Sequence, residues 1–153
     1  MRILVMSDSH GCINNMLYAA DKESPDMILH TGDCISDCKD VTRMYPEIPL
    51  RSVRGNCDRG YKGLDIDEFV LEDKRFMMTH GHLFGVKMGL TNIKNAALER
   101  GVDILLFGHT HMQYYNVSDN IIMLNPGSVG VGTREYAILE IKNGVIECEH
   151  KKL

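Results

Sequence analysis

The chain has 153 residues, a length that suits one domain with a core of its own, expected to span 1–153. Hydrophobic residues make up 44% and charged residues 25%, and the 17 Lys and Arg are outnumbered by 21 Asp and Glu, for a formal net charge of −4. That balance, with no long basic block and no apolar run near the roughly 18 residues of a membrane span, disfavours a nonspecific nucleic-acid binder and a membrane protein.

In chain order, residues 2–6, an apolar run of Ile, Leu, Val and Met after Arg2, predict a strand buried on both faces. Met16, Leu17, Ala19 and Ala20 predict a helix over 14–22, closed at Ser24-Pro25 because the residue before proline avoids the helical region. A second strand is expected at 26–31, and strand–helix–strand implies a right-handed parallel crossover. A weaker helix over 37–44, stopped by Pro46, precedes a third strand over 50–54. The pattern then changes: strands at 68–71 and 75–79 flank Glu72-Asp73-Lys74 as a hairpin. The clearest helix is expected at 91–100, with Ile93, Ala96, Ala97 and Leu98 as its apolar stripe and Gly101 as its stop. A strand at 103–107, apolar from Ile104 to Phe107, leads to two more hairpins. One pairs 114–117 with 121–124, and the other pairs 136–141 with 145–149 around Asn143-Gly144, the strongest turn signal present. The ten Met read as core filler or as an apolar contact surface. Five Cys (Cys12, Cys34, Cys38, Cys57 and Cys148) at irregular spacing argue for reduced thiols and a cytoplasmic location, and the N-terminus does not resemble a signal peptide.

Short clusters of metal-binding residue types stand where five apolar runs end: Asp8-Ser9-His10, Gly32-Asp33, Gly55-Asn56-Cys57-Asp58, His80-Gly81-His82 and His109-Thr110-His111. Strand ends of an open α/β sheet face a shared crevice, so these side chains can surround metal ions. Asp8 and His10, two apart, lie on one side of the chain. Gly32 allows a sharp turn that presents Asp33, whose two oxygens can bridge two cations. Asn56 offers a neutral carbonyl oxygen and an amide able to hold a phosphate oxygen. Six of the seven His lie in or beside these clusters, the sixth being His30. Taken singly, each cluster is also readable as a polar loop, a helix cap or a turn.

The ordered set resembles the calcineurin-like metallophosphoesterase superfamily, and the compact size, Gly55-Asn56-Cys57-Asp58 and Asn125-Pro126-Gly127-Ser128-Val129 are similar to its small YfcE-type phosphodiesterases. The resemblance spans about positions 2–142. It implies a layered αββα sandwich, two mixed β-sheets flanked by helices, with a dinuclear metal site at the strand ends. It also implies a ligand set: Asp8, His10 and His111 for one ion, Asn56, His80 and His109 for the other, and Asp33 shared. The cofactors implied are two divalent ions, Mn2+ or Ni2+ first, with Fe, Co or Zn also fitting oxygen and imidazole ligands.

The reaction expected is hydrolysis of a small phosphodiester by a metal-bridging hydroxide, with no nucleic acid or membrane required. Asn56, Asp58 and His82 are candidate catalytic residues, and Asn56 and Cys57 candidate substrate contacts. Cys57 stands where many relatives carry His, so protonation of the leaving oxygen is the step least supported by the residues. The segment 125–134, with three Gly and one Pro, looks like the substrate-side loop. Two alternatives accompany this reading: a phosphomonoesterase with the same centre, and a protein-interaction scaffold such as the retromer subunit of this fold. A homodimer is an option for so small an enzyme.

Overall fold

The computed structural model describes residues 1–130 and 132–153. Its elements run β1 (Arg2–Met6), α1 (Ile13–Glu23), β2 (Met27–His30), α2 (Asp37–Met44), β3 (Leu50–Ser52), β4 (Ile66–Leu71), β5 (Lys74–Thr79), a 3-10 turn (His82–Phe84), α3 (Thr91–Arg100), β6 (Ile104–Leu106), β7 (Gln113–Ser118), β8 (Ile121–Pro126), β9 (Glu135–Lys142) and β10 (Val145–Lys152). They build two five-stranded sheets, ordered β10-β9-β1-β2-β3 and β4-β5-β6-β8-β7. Both are mixed. β1, β2 and β3 are mutually parallel, as are β5, β6 and β8; β9 adjoins the first trio antiparallel on one side, and β4 and β7 flank the second antiparallel on both.

Side-chain alternation along the strands creates the layers. Ile3 and Val5 of β1 enter the layer between the sheets with Leu29, Phe76, Met78, Ile104, Leu106 and Leu139. Leu4 and Met6 face the other way, onto Met16, Ala19 and Ala20 of α1 and Cys38 and Val41 of α2. In the second sheet Met77 and Leu105 face Ile93, Ala96 and Ala97 of α3. The result is the expected αββα sandwich. Six Met (Met6, Met16, Met27, Met77, Met78 and Met123) are core, whereas Met44, Met88 and Met112 are exposed.

Several boundaries differ from the sequence reading. The third strand ends at Ser52 because Val53 bridges Leu64 and the Arg54 N–H bonds to the Leu64 carbonyl at 2.7 Å, which leads the chain off the sheet. Leu98 is 41% exposed. It lies off the stripe because Ile93, Ala96 and Ala97 already satisfy the i, i+3, i+4 spacing. β8 continues through Asn125-Pro126, so the loop expected from 125 begins two residues later. All three hairpins turn on two residues with positive φ: Glu72-Asp73, Asp119-Asn120 and Asn143-Gly144. That is the type I′ geometry that matches strand twist.

Two ion-pair groups tie the layers together. Arg51 of β3 grips Asp67 of β4 through two bonds of 2.8 Å, joining the edges of the two sheets. Glu23, buried at the end of α1, accepts the Tyr136 hydroxyl at 2.7 Å and pairs with Lys151 at 3.1 Å and with Arg2.

Candidate metal centre

The parallel trios of both sheets bring their C-terminal ends together, and the polar clusters meet there. Asp8, just past β1, is fully buried. Its Oδ2 accepts the Ser7 hydroxyl and, at 3.1 Å, the His109 N–H. Its Oδ1 accepts no hydrogen bond. His111 Nε2 lies 3.0 Å from that oxygen but outside hydrogen-bonding geometry, and His10 Nε2 lies 3.9 Å away. Asp33, just past β2, places Oδ2 3.4 Å from His80 Nε2 and 4.0 Å from His10 Nε2, while Oδ1 accepts the Cys57 N–H at 2.8 Å. His80 Nε2 is 3.1 Å from His109 Nδ1. Two groups result, Asp8–His10–His111 and Asp33–His80–His109, each with ligand atoms within 4.8 Å of one another. Asp33 lies within reach of both because His10 approaches either carboxylate.

The backbone bends to aim these side chains. Asp8, His10, Asp33, His109 and His111 have φ of +55°, +44°, +63°, +68° and +57°. Only a few per cent of non-glycine residues adopt such values, so five in one cluster mark strain held in place by the surrounding structure. That structure is polar and largely buried. The Thr31 carbonyl accepts from His80 Nδ1 at 2.9 Å, which leaves the His80 Nε2 lone pair facing the site. His10 Nδ1 lies 3.8 Å from Cys34 Sγ. The Asn125 amide donates to the Gly108 carbonyl at 2.9 Å and to the Thr110 hydroxyl at 3.0 Å, and Ser128 donates to the Asp8 carbonyl at 2.8 Å. The described part of the 125–134 segment therefore braces the ligand loops; Val131 of that segment lies outside the described residues. Sequence reasoning missed Ser7, Thr31, Asn125 and Ser128 as supports. The one usable signal was an Asn ending an apolar run.

Two glycines are required by close approach. A Cβ on Gly108 would lie 2.0 Å from Ser7 Oγ and 2.9 Å from Asp8 Oδ2. A Cβ on Gly55 would lie 2.0 Å from Asp33 Oδ1 and 2.5 Å from the Asp33 backbone nitrogen, which no rotamer can relieve. Gly55→Ala is expected to displace Asp33 and cost about 1–3 kcal/mol, the usual penalty of overpacking. Metal content should fall in a protein that still folds. Wild-type stability together with full metal content would refute the expectation.

The remaining candidates stand around this core. Asn56 is exposed and its amide donates to Cys57 Sγ at 3.4 Å. Asp58 is buried, and both its oxygens are occupied, one by the Gly55 N–H at 2.8 Å and one by the Ile35 N–H at 2.9 Å. It locks the turn after β3 to the loop after β2. His82 opens the 3-10 turn, its ring 5.4 Å from His80, and lines a cavity of about 200 Å³ with Arg54, Asn56, Asp58 and Arg59. His30 is fully buried, and its Nδ1 accepts the Gly32 N–H at 3.3 Å. It packs beneath the loop and contributes no donor to either group.

Charge regulation follows the geometry. Burial alone would raise the Asp33 carboxyl, but His80 and the Cys57 N–H outweigh it and hold Asp33 well below the usual carboxylate range. Burial lowers His80, yet Asp33 and Asp8 outweigh that and raise it. Burial and the neighbouring His80 push His109 down to about 4 and lower His82. Burial brings His30 to about 4. Burial and Asp33 raise the Cys57 thiol to about 11.

These residues fit divalent cations. A buried carboxylate oxygen without a donor, two converging carboxylates and imidazole nitrogens with free lone pairs form an oxygen–nitrogen donor set of the kind borderline metals take. The fold and the site together define a layered α/β protein with a carboxylate–imidazole cluster, fit to hold metal ions, where its strands end. The chain belongs to the calcineurin-like phosphoesterase superfamily, whose domain model matches residues 1–144. It is 34% identical over 152 residues to the probable metallophosphoesterase YsnB of Bacillus subtilis, covering 94% of this chain and 86% of that protein. A phosphodiesterase of Methanocaldococcus jannaschii is 26% identical over 145 residues, 83% of each chain. In fold, the chain is similar to Entamoeba histolytica Vps29 complexed with zinc, with a TM-score of 0.77, 20% identity, and coverage of 99% of this chain and 98% of that one.

Proposed function

We propose that the protein is a metal-dependent phosphodiesterase with a dinuclear centre. The observation that carries this reading is the convergence of Asp8–His10–His111 and Asp33–His80–His109 around the donor-free Asp8 Oδ1. In this reading Asp33 serves both ions and Asn56 completes the second set. Divalent ions held there, Mn2+ or Ni2+ by preference, would supply Lewis-acid activation of water near neutral pH and positive charge against the phosphoryl oxygens.

The chain's own residues then have distinct tasks. Thr31 and Cys34 fix the ring orientations of His80 and His10, as partners behind metal-binding imidazoles do. The exposed Asn56 amide and Cys57 thiol border the entrance and meet a substrate phosphate oxygen. Asp58, with both oxygens committed to backbone N–H groups, acts as a positioning residue for Asn56 and Cys57. His82 stands close enough to His80 to act on the same phosphate. A thiol held near 11 is a weak acid, so Cys57 is a poor source of the leaving-group proton.

His10, His111, Asn56 and Cys57 are all exposed, and this open face favours diesters with two substituents over a small monoester. The location proposed is the cytoplasm, where the free cysteines stay reduced. Among the described residues no helix is long and apolar enough to cross a membrane.

The test uses metal-free protein with a bis-aryl phosphodiester and its monoester, adding Mn2+, Ni2+, Mg2+ or nothing. Turnover restored by Mn2+ or Ni2+, greater on the diester, is the expected result, and Cys57→Ala should lose little on this activated substrate. A higher monoester rate would establish the monoesterase alternative. Folded protein that binds the ions without any turnover would leave the scaffold reading. Metal content alone does not decide, because a Vps29 of this fold also binds zinc.

A further inference from the structure

A third group of ligand atoms overlaps the two already described. His10, Asp33 and Cys57 bring one nitrogen, one oxygen and one sulfur within 4.8 Å of one another. We propose that this group is a binding site for a thiophilic divalent cation, Zn2+ in particular, with Cys57 as a thiolate ligand. The inference rests on the metal-centre reading above and adds to it a residue outside that ligand set.

The sulfur is not placed by chance rotation of a free loop. The Cys57 N–H bonds to Asp33 Oδ1 at 2.8 Å, so the carboxylate of the group also fixes the backbone that carries the thiol. Gly55 packs directly against that carboxylate. Asp58 clamps the turn from below through the Gly55 and Ile35 N–H groups. A ligand held this way loses little conformational freedom on binding an ion. Cys57 is also exposed, so an ion reaches it from solvent. A second thiol, Cys34 Sγ, lies 3.8 Å from His10 Nδ1 on the other side of the same imidazole.

The donor chemistry makes the site selective. Mn2+ prefers oxygen and imidazole, whereas Zn2+ gains from a soft thiolate. Binding deprotonates the Cys57 thiol, forms a sulfur–metal bond and releases one proton to solvent. His10 and Asp33 belong to the centre proposed for hydrolysis, so zinc held by Cys57 competes for them. The protein would thereby discriminate against zinc as an activator: zinc binds tightly and lowers turnover with Mn2+.

Co2+ is the probe, because a cobalt–thiolate bond gives a sulfur-to-metal charge-transfer band in the near ultraviolet. Metal-free full-length protein, Cys57→Ser and Cys34→Ser are each titrated with Co2+, and the bound cobalt is then displaced by Zn2+. The expected result is a band in the wild type and in Cys34→Ser that is lost in Cys57→Ser, although that variant still binds Co2+. Zn2+ affinity should fall in Cys57→Ser by on the order of 10–100-fold, at least the loss that a partner behind a ligand causes. Mn2+ affinity should change far less. Co2+ bound by the wild type without the band, or a band that persists in Cys57→Ser, overturns the proposal and leaves the hydrolase reading standing. No Co2+ bound by the folded wild type overturns both.

Discussion

Asp33→Ala should reduce Mn2+-dependent diester hydrolysis by about a thousandfold or more, the scale seen when an enzyme loses a principal source of transition-state electrostatics. Three contacts lead to that expectation. Asp33 Oδ2 stands between His80 and His10, one imidazole from each ligand group. Its Oδ1 accepts the Cys57 N–H and so positions the turn that carries Asn56. It also shares with Asp8 the field that raises His80 against burial. Removal would therefore subtract the carboxylate proposed to serve both ions and loosen a third element. Asp33→Asn separates these roles, since its carbonyl can still accept the Cys57 N–H while the charge is gone. Asp33→Asn should melt close to the wild type yet bind less metal and stay inactive. Wild-type turnover and metal stoichiometry in Asp33→Asn would sink the assignment of Asp33 to the centre.

The largest expected effect on stability lies far from the site, at Glu23. This carboxylate is buried where α1, β1, β9 and β10 meet, and it receives Arg2, Lys151 and the Tyr136 hydroxyl. Breaking a buried pair from one side commonly costs about 3–5 kcal/mol. Arg2 and Lys151 keep partial contact with water, at 31% and 22% side-chain exposure, which lowers the expected cost of Glu23→Gln to about 2–3 kcal/mol. For a chain of this length that is a fall in Tm of about 4–12 °C. A pH dependence accompanies it. Burial alone would raise Glu23, but Tyr136, Lys151 and Arg2 outweigh it, so the folded value is below the ordinary 4.5. The ionised form is thus favoured by folding. Its contribution is complete above about 4.5 and drains away as pH falls through the lower folded value. The gap in Tm between wild type and Glu23→Gln should accordingly be constant near neutrality and shrink in acid. An unchanged Tm, or a gap that widens in acid, would show that the network does not act in this way.

Much of the site was legible in the residues because its signals are local. An apolar run ending in Gly-Asp or Gly-His-x-His announces polar groups at a strand end, and the fold places those ends together. Thr91–Arg100 and Asp37–Met44 were legible for a similar reason, since their amphipathic spacing and their stops lie within a few residues. The third strand was overextended because its end depends on Leu64, a residue outside that window. Asp58 was read among the chemical candidates because its neighbours are. Only the fold shows that its two oxygens are already taken by the Gly55 and Ile35 N–H groups.

By itself, then, the sequence determined which residue types stand at the ends of which strands, how many helices and hairpins there are, and that their apolar faces require layers. The tertiary structure decided the partnerships. It paired His10 and His111 on Asp8, set His80 and His109 beside Asp33, brought Cys57 within reach of His10 and Asp33, and gathered Glu23, Arg2, Tyr136 and Lys151 into one buried group. Propensity and periodicity are properties of neighbouring residues. Distances between loops follow from sheet order and register, which are fixed only when all the apolar faces are buried at once.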